Sequence, residues 1–403
     1  MTHIVVIGGG QAAASLVAKL RGEGFDGEVT LVCGEPVPPY QRPPLSKAYL
    51  LGEMEEERLY LRPESWYADQ DITLRLGTRC TEINPAGKWV ELEAGETLSY
   101  DQLVLCTGSH PRTLPSSIGG TLDGVHVMRD LRDADGLAPE MTTGKRALIV
   151  GGGYIGLEAA AVAAKRGVKV TLVEMAPRIL QRVAAEATSN YFRALHIGHG
   201  VDIREGVGLE RLTGTDRVTG AVLTDGTELE VDFVVVGVGI TPATILAETA
   251  GLTVDNGIAV DAKGRTSDPH IWAAGDCASF PGPAGRMRLE SVGNAIDMGE
   301  LVARNMMGAD LDYVAKPWFW SDQFDCKLQI AGLSAGFDAI HVRNGDGGAV
   351  SHWYYAGDRL VAVDAMNDSR VYMVAKRLIE AGKSPDPAVA TNPATDLKAL
   401  LKA

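Results

Sequence analysis

An apolar strand, a glycine loop and a small-residue helix occur twice in this chain, as IVVIGGGQAAASLVAKL from Ile4 and as ALIVGGGYIGLEAAAVAA from Ala147. Each is followed by a further strand ending on an acid, EVTLVCGE at Glu35 and VKVTLVEM at Glu174. The glycine spacing decides what such a unit can bind. Gly8, Gly10 and Ala13 follow G-x-G-x-x-A, and Gly151, Gly153 and Gly156 follow G-x-G-x-x-G. The first glycine allows the tight turn, the second lets backbone approach a pyrophosphate, and the third small residue brings helix against strand. The helix N-terminus then offers unpaired N–H groups and the positive end of its dipole to the phosphates. One such pattern is weak; two, each in strand-loop-helix-strand context, predict two nucleotide-binding units in an α/β chain.

Glu35 and Glu174 are placed to accept hydrogen bonds from ribose hydroxyls, and a carboxylate there repels the extra phosphate of NADP. NADH is therefore favoured, although Arg178 and Arg182 just beyond Glu174 offer positive charge to a 2′-phosphate. With 403 residues the chain is expected to hold two or three domains. Its formal charge of −14 argues against non-specific nucleic-acid binding. No apolar run approaches the roughly 18 residues of a membrane span, and MTHIVVIGGG leads directly into a strand, so a cytoplasmic protein without a membrane partner is expected. The five cysteines, Cys33, Cys80, Cys106, Cys277 and Cys326, lie far apart. They form no C-x-x-C, no metal-ligand spacing and no disulfide framework, and read as buried thiols in a reducing compartment.

Three further stretches extend the pattern: LVLCTGSHPR, VVVGVGITP and TSDPHIWAAGDCA. With the two glycine loops they resemble the two-dinucleotide flavoprotein superfamily, in which one unit binds FAD and an inserted unit binds NAD(P)H. RPPLSKAYL, GGGYIGLEAA, RLESVGNA and PWFWSDQFD are similar to NADH-dependent ferredoxin reductases of the putidaredoxin reductase type. The resemblance implies an FAD-binding domain at 1–110 and 242–317, an NAD-binding domain at 111–241 and a C-terminal α/β domain at 318–403. It also implies FAD contacts at Ala12, Glu35, Arg42, Lys47, Cys80, Arg129, Asp276 and Val292, with Cys80 acting through backbone and Arg129 suited to the pyrophosphate. Cys106, Thr107, Gly108, Gly237 and Gly275 fall in the matching crossover and flavin motifs, and Tyr154 and Ile155 in the second glycine loop. Trp320 is placed near the flavin ring and Glu290 near the nicotinamide.

Flavin chemistry asks the protein for orientation and electrostatics rather than for many acids and bases. The periodicity of SVGNAIDMGELVARNMM predicts a helix starting near Val292, whose dipole would favour a reduced, anionic flavin. Pro43 and Pro44 are expected to fix entry into a helix that presents Lys47 to the flavin. Glu158 is its expected partner. The implied reaction takes hydride from NADH to FAD and passes single electrons to a 2Fe-2S ferredoxin that serves an oxygenase such as a cytochrome P450 or a ring-hydroxylating dioxygenase. Disulfide reductases and peroxidases need redox cysteines, and PPLSKAYL occupies the place where several of them carry these. Rubredoxin or monodehydroascorbate reductase activity, and a redox-sensing role like that of apoptosis-inducing factor, stay open. Arg286, Arg288, Lys316 and Lys327 are the candidate docking cations for an acidic ferredoxin, in a transient complex with a monomer or weak dimer. Ser384 to Ala394 read as a surface tail.

Overall fold

A computed structural model of the chain describes residues 2–283 and 285–402. They divide into two compact units. The first holds Met1–Arg42, Glu55–His110 and Ile240–Pro317, and the second holds Pro43–Met54, Pro111–Gly239 and Trp318–Ala403. The short segment Pro43–Met54, which carries Lys47, thus groups with the second glycine loop.

The first unit is built on a five-stranded parallel sheet. Its order is Ile271–Ala273, Gln102–Leu105, His3–Ile7, Glu28–Val32 and Ile72–Arg75. Runs such as HIVVI and EVTLV are almost wholly buried, as strands covered on both faces must be. The helix Gln11–Gly22 leaves the first strand and packs closely on the helix Val292–Met306. That approach depends on small residues: a Cβ on Gly299 would lie 2.5 Å from the Ala12 carbonyl oxygen.

The second unit repeats the theme with a parallel sheet ordered Asp202–Glu205, Lys169–Glu174, Arg146–Val150, Phe233–Val236 and Val125–His126. Its C-terminal part is an antiparallel sheet ordered Trp318–Gln323, Cys326–Gly332, Arg359–Met366, Val350–Ala356 and Ala339–Asn344. The helix Ser369–Glu380 covers one face of that sheet. The proline-rich segment expected to be a surface tail is instead docked. Within it Pro387–Thr391 is a helix whose Ala390 joins the core, and just beyond it the helix Leu397–Leu400 adds Leu397 and Leu400. Arg343, itself 7% exposed, donates to the carbonyls of Ala390, Asn392, Pro393 and Thr395 and so fixes the segment.

Candidate functional site

Both glycine loops have the geometry that a pyrophosphate requires. Gly8 sits at φ +123°, and a Cβ there would fall 2.1 Å from the Cys106 carbonyl oxygen. In the second loop a Cβ on Gly156 would fall 2.0 Å from the Gly151 carbonyl oxygen, and one on Gly151 would fall 2.4 Å from that of Gly237. At Gly10 and Gly153, the N-caps of the two helices, a Cβ would meet nothing within 4 Å. Neither helix start has a side-chain cap, so open space and uncapped N–H groups coincide at both. The residues present therefore fit a dinucleotide in each unit.

Around the first loop, Glu35 accepts from Arg42 at 2.5 Å and from the Tyr40 hydroxyl at 2.6 Å. The Arg42 guanidinium also lies over the Tyr40 ring. Sequence reading named Glu35 and Arg42 and missed Tyr40, whose place two residues before Arg42 was the available signal. Ala12 and Ala13 are buried in the helix, and Gly275, at φ +83°, leaves room for the Ala12 methyl. Thr107 donates to the Ala243 carbonyl at 2.7 Å, and Gly108 accepts from the Ala243 N–H at 3.0 Å. Asp276 accepts from Ser109 at 3.1 Å. Val292 is the first residue of its helix, and Ser291 caps it through the Asn294 N–H at 3.2 Å. Cys80 lies on the strand Cys80–Asn84, its thiol against the Glu82 carbonyl. Glu290 pairs with Arg288 at 2.7 Å.

The docking cations need correction at two positions. Arg288 is held by Glu290 and by the carbonyls of Asn256 and Asp276, and its side chain is only 10% exposed. Arg286 donates to the carbonyls of Val260 and Ser279. Both guanidiniums satisfy local backbone acceptors.

Around the second loop, Glu174 uses both oxygens on backbone, accepting from the Gly152 N–H at 2.7 Å and the Ala176 N–H at 2.8 Å. It ties the loop to the strand that follows. Arg178 is drawn aside by the Ser189 hydroxyl at 2.5 Å and the Gln181 carbonyl. Tyr154 opens the helix Tyr154–Lys165 with its ring 4.8 Å from Phe319, and Ile155 beside it is 41% exposed. The Arg129 N–H donates to Asp133 in the capping box of the helix Leu131–Leu137.

Lys47 and Glu158 meet as expected, but not from a helix. Pro43–Ser46 is a single 3-10 turn, and the Lys47 and Tyr49 N–H groups both return to the Pro44 carbonyl at 3.0 Å. Arg166 holds the far end through the carbonyls of Leu50 and Leu51. Lys47 Nζ lies 2.8 Å from Glu158 Oε2, which also accepts from Ser46 at 2.6 Å, while Oε1 accepts from Ser321 at 2.7 Å. Glu158 is 1% exposed and fully engaged. Ser46 and Ser321 were missed by sequence reading. Trp320 precedes Ser321 on a strand with an inverted pattern: Ser321 and Gln323 are buried, while Trp318 and Trp320 stack at 5.5 Å on the part-exposed face.

A second buried carboxylate has no cation beside it among the described residues. Asp364 accepts from Thr188 at 2.7 Å and from the Tyr354 hydroxyl, and Thr188 also meets His352 Nδ1 at 2.7 Å. Burial raises the Asp364 carboxyl to about 6 and lowers His352 to about 4.

Two dinucleotide loops on two parallel sheets, joined to a C-terminal antiparallel sheet, define a pyridine-nucleotide oxidoreductase. Residues 2–299 match the pyridine nucleotide-disulphide oxidoreductase family, and residues 318–401 match the reductase C-terminal family. Rhodocoxin reductase of Rhodococcus erythropolis is 42% identical, over 98% of this chain and 93% of its own. The ferredoxin–NAD(+) reductase component of the anthranilate 1,2-dioxygenase system of Burkholderia cepacia is 40% identical, over 98% of both. The crystal structure of the covalent putidaredoxin reductase–putidaredoxin complex superposes with a TM-score of 0.96 at 39% identity, covering 100% of this chain and 98% of that one. The chain belongs to the pyridine nucleotide-disulphide oxidoreductase family and, within it, to the ferredoxin reductases of the putidaredoxin reductase type.

Proposed function

We propose that this enzyme takes a hydride from NADH on FAD and passes electrons singly to a 2Fe-2S ferredoxin, which serves an oxygenase such as a cytochrome P450 or a ring-hydroxylating dioxygenase. Bound FAD supplies the conversion between a two-electron donor and a one-electron acceptor. The observation that carries the reading is the pair of open glycine loops in a chain whose thiols are unsuited to redox work. All five cysteines are free, and burial pushes Cys33 up to about 12 and Cys106 well above its ordinary range. Such thiols hold little thiolate at neutral pH, and the thiolate is the reactive form. Disulfide chemistry is disfavoured on that ground, and the similarity to reductases of oxygenase systems favours a ferredoxin over a rubredoxin, monodehydroascorbate or sensing role.

In this reading the first unit holds FAD through the Gly8–Ala13 loop, Glu35, Arg42, Asp276 and the start of the helix at Val292. The second holds NADH through the Gly151–Gly156 loop and Glu174, whose charge repels a 2′-phosphate while Arg178 is occupied elsewhere. Lys47 and Trp320 address the flavin ring, and Glu290 addresses the nicotinamide. Glu158 holds Lys47. Free cysteines, four of the five buried, suit the reducing cytoplasm, and no helix among the described residues is long and apolar enough to cross a membrane.

Anaerobic stopped-flow reduction of the flavin by NADH, followed by reoxidation with a panel of 2Fe-2S ferredoxins and rubredoxins, tests the assignment. Fast reoxidation by a 2Fe-2S ferredoxin is expected; a long-lived complex with reduced nicotinamide and no electron delivery would sink it. Lys47→Ala should slow reduction by NADH about tenfold, the equivalent of 1.4 kcal/mol, and weaken FAD retention less.

A further inference from the structure

Five side chains of the second unit stand in one hydrogen-bonded line. His196 Nε2 lies 2.8 Å from Gln323 Oε1, and Gln323 Nε2 lies 3.0 Å from Ser321 Oγ. Ser321 Oγ lies 2.7 Å from Glu158 Oε1, and Lys47 Nζ lies 2.8 Å from Glu158 Oε2. His196, Gln323 and Ser321 are 0% exposed and Glu158 is 1% exposed. The line draws on the helix Glu186–Gly198, the strand Trp318–Gln323, the helix Tyr154–Lys165 and the turn after Pro43–Ser46.

Its direction follows from donor chemistry. An ionised carboxylate only accepts, so the Ser321 hydroxyl donates to Glu158 and its lone pairs receive the Gln323 amide N–H. The Gln323 oxygen then faces His196, whose Nε2 must carry a hydrogen. Every donor points toward Glu158, and bonds aligned this way polarise one another. Turning the Gln323 amide over would make its oxygen take the Ser321 hydrogen, and Glu158 would lose a donor. The other ring nitrogen, His196 Nδ1, is buried with no hydrogen-bond partner among the described residues. It is the bare end from which the line starts.

We propose that Ser321 and Gln323 are positioning residues for Lys47, acting through the Glu158 carboxylate, and that His196 sets the polarity of the line. The proposal rests on the reading above that Lys47 serves hydride transfer from NADH. Because Ser321 follows Trp320 directly, the indole and the lysine are referenced to one buried carboxylate.

The test uses the holoenzyme with Ser321→Ala, Ser321→Thr, Lys47→Ala and the Ser321→Ala/Lys47→Ala double variant. Ser321→Ala should slow flavin reduction about three- to tenfold with little change in KM for NADH, and Ser321→Thr, which keeps the hydroxyl, should restore it. In the Lys47→Ala background the serine change should add nothing, since residues acting through one another are non-additive. A second readout needs no turnover: in 15N spectra of ring-labelled histidine, with His196 assigned by its loss in His196→Gln, the wild type should show the Nε2–H tautomer. Equal slowing by Ser321→Ala in both backgrounds, or an Nδ1–H tautomer of His196 in the wild type, would overturn the positioning line alone. A Lys47→Ala enzyme reduced at the wild-type rate would overturn both the line's purpose and the reading of Lys47.

Discussion

Glu158 and Asp364 are both carboxylates buried in the second unit, at 1% and 2% exposure, and they are compensated in opposite ways. Glu158 has a lysine and two hydroxyls; among the described residues Asp364 has the hydroxyls of Thr188 and Tyr354. Burying a charge costs several kcal/mol unless it is paired and hydrogen-bonded. The cationic partner lets Glu158 act as a fixed anchor, whereas the neutral donors leave Asp364 with a raised pKa and a pH-dependent cost to folding. The two buried carboxylates are thus told apart by what sits opposite them.

Three substitutions probe that difference. Lys47→Met strands the Glu158 charge and should cost about 2–4 kcal/mol at pH 7, somewhat less than the loss of a fully buried partner, because the Lys47 side chain is 15% exposed. Urea unfolding would measure it, and a loss under about 1 kcal/mol would erase the contrast with Asp364. For Asp364 the folded pKa of about 6 exceeds the ordinary 3.8, so the folded state holds a proton that the unfolded state has released. Stability from this group is therefore complete below about pH 4 and is lost as pH rises to about 6, a total of about 3 kcal/mol. His196 and His352, each lowered by burial to about 4, act in the opposite sense and add stability as pH rises from about 4 to 6.5. Asp364→Asn should remove the falling component, so that stability climbs with pH through this window; an unchanged profile would show that Asp364 does not titrate there. The smallest effect expected is that of Thr188→Val, about 1.5–3 kcal/mol at pH 7 for one lost donor to a charged group, with the falling component displaced to higher pH.

The sequence made the glycine loops legible because their spacing answers a local steric problem, which the close approaches at Gly8 and Gly156 state directly. Lys47 and Glu158 were named only through the resemblance, and the helix expected around Lys47 is a 3-10 turn because consecutive prolines and returns to the Pro44 carbonyl close the chain too tightly. Partners brought together by tertiary pairing were not legible. Ser321 and Thr188 lie 163 and 176 residues from Glu158 and Asp364, and a serine on a strand or a threonine on a helix carries no local mark of what it will face. Arg286 and Arg288 were misread for a related reason, since a sequence shows a charge but not the backbone carbonyls waiting for it.

The way the chain alternates between its two units has a consequence for synthesis. Pro43–Met54 belongs to a unit whose other parts are Pro111–Gly239 and Trp318–Ala403, and the sheet of the first unit includes a strand at Ile271–Ala273. At roughly 5–20 residues per second, Lys47 leaves the ribosome roughly 15 to 55 seconds before Ser321. Through that interval the nascent lysine has no completed anchor. The turn that will carry it is made long before the strand that completes its anchor.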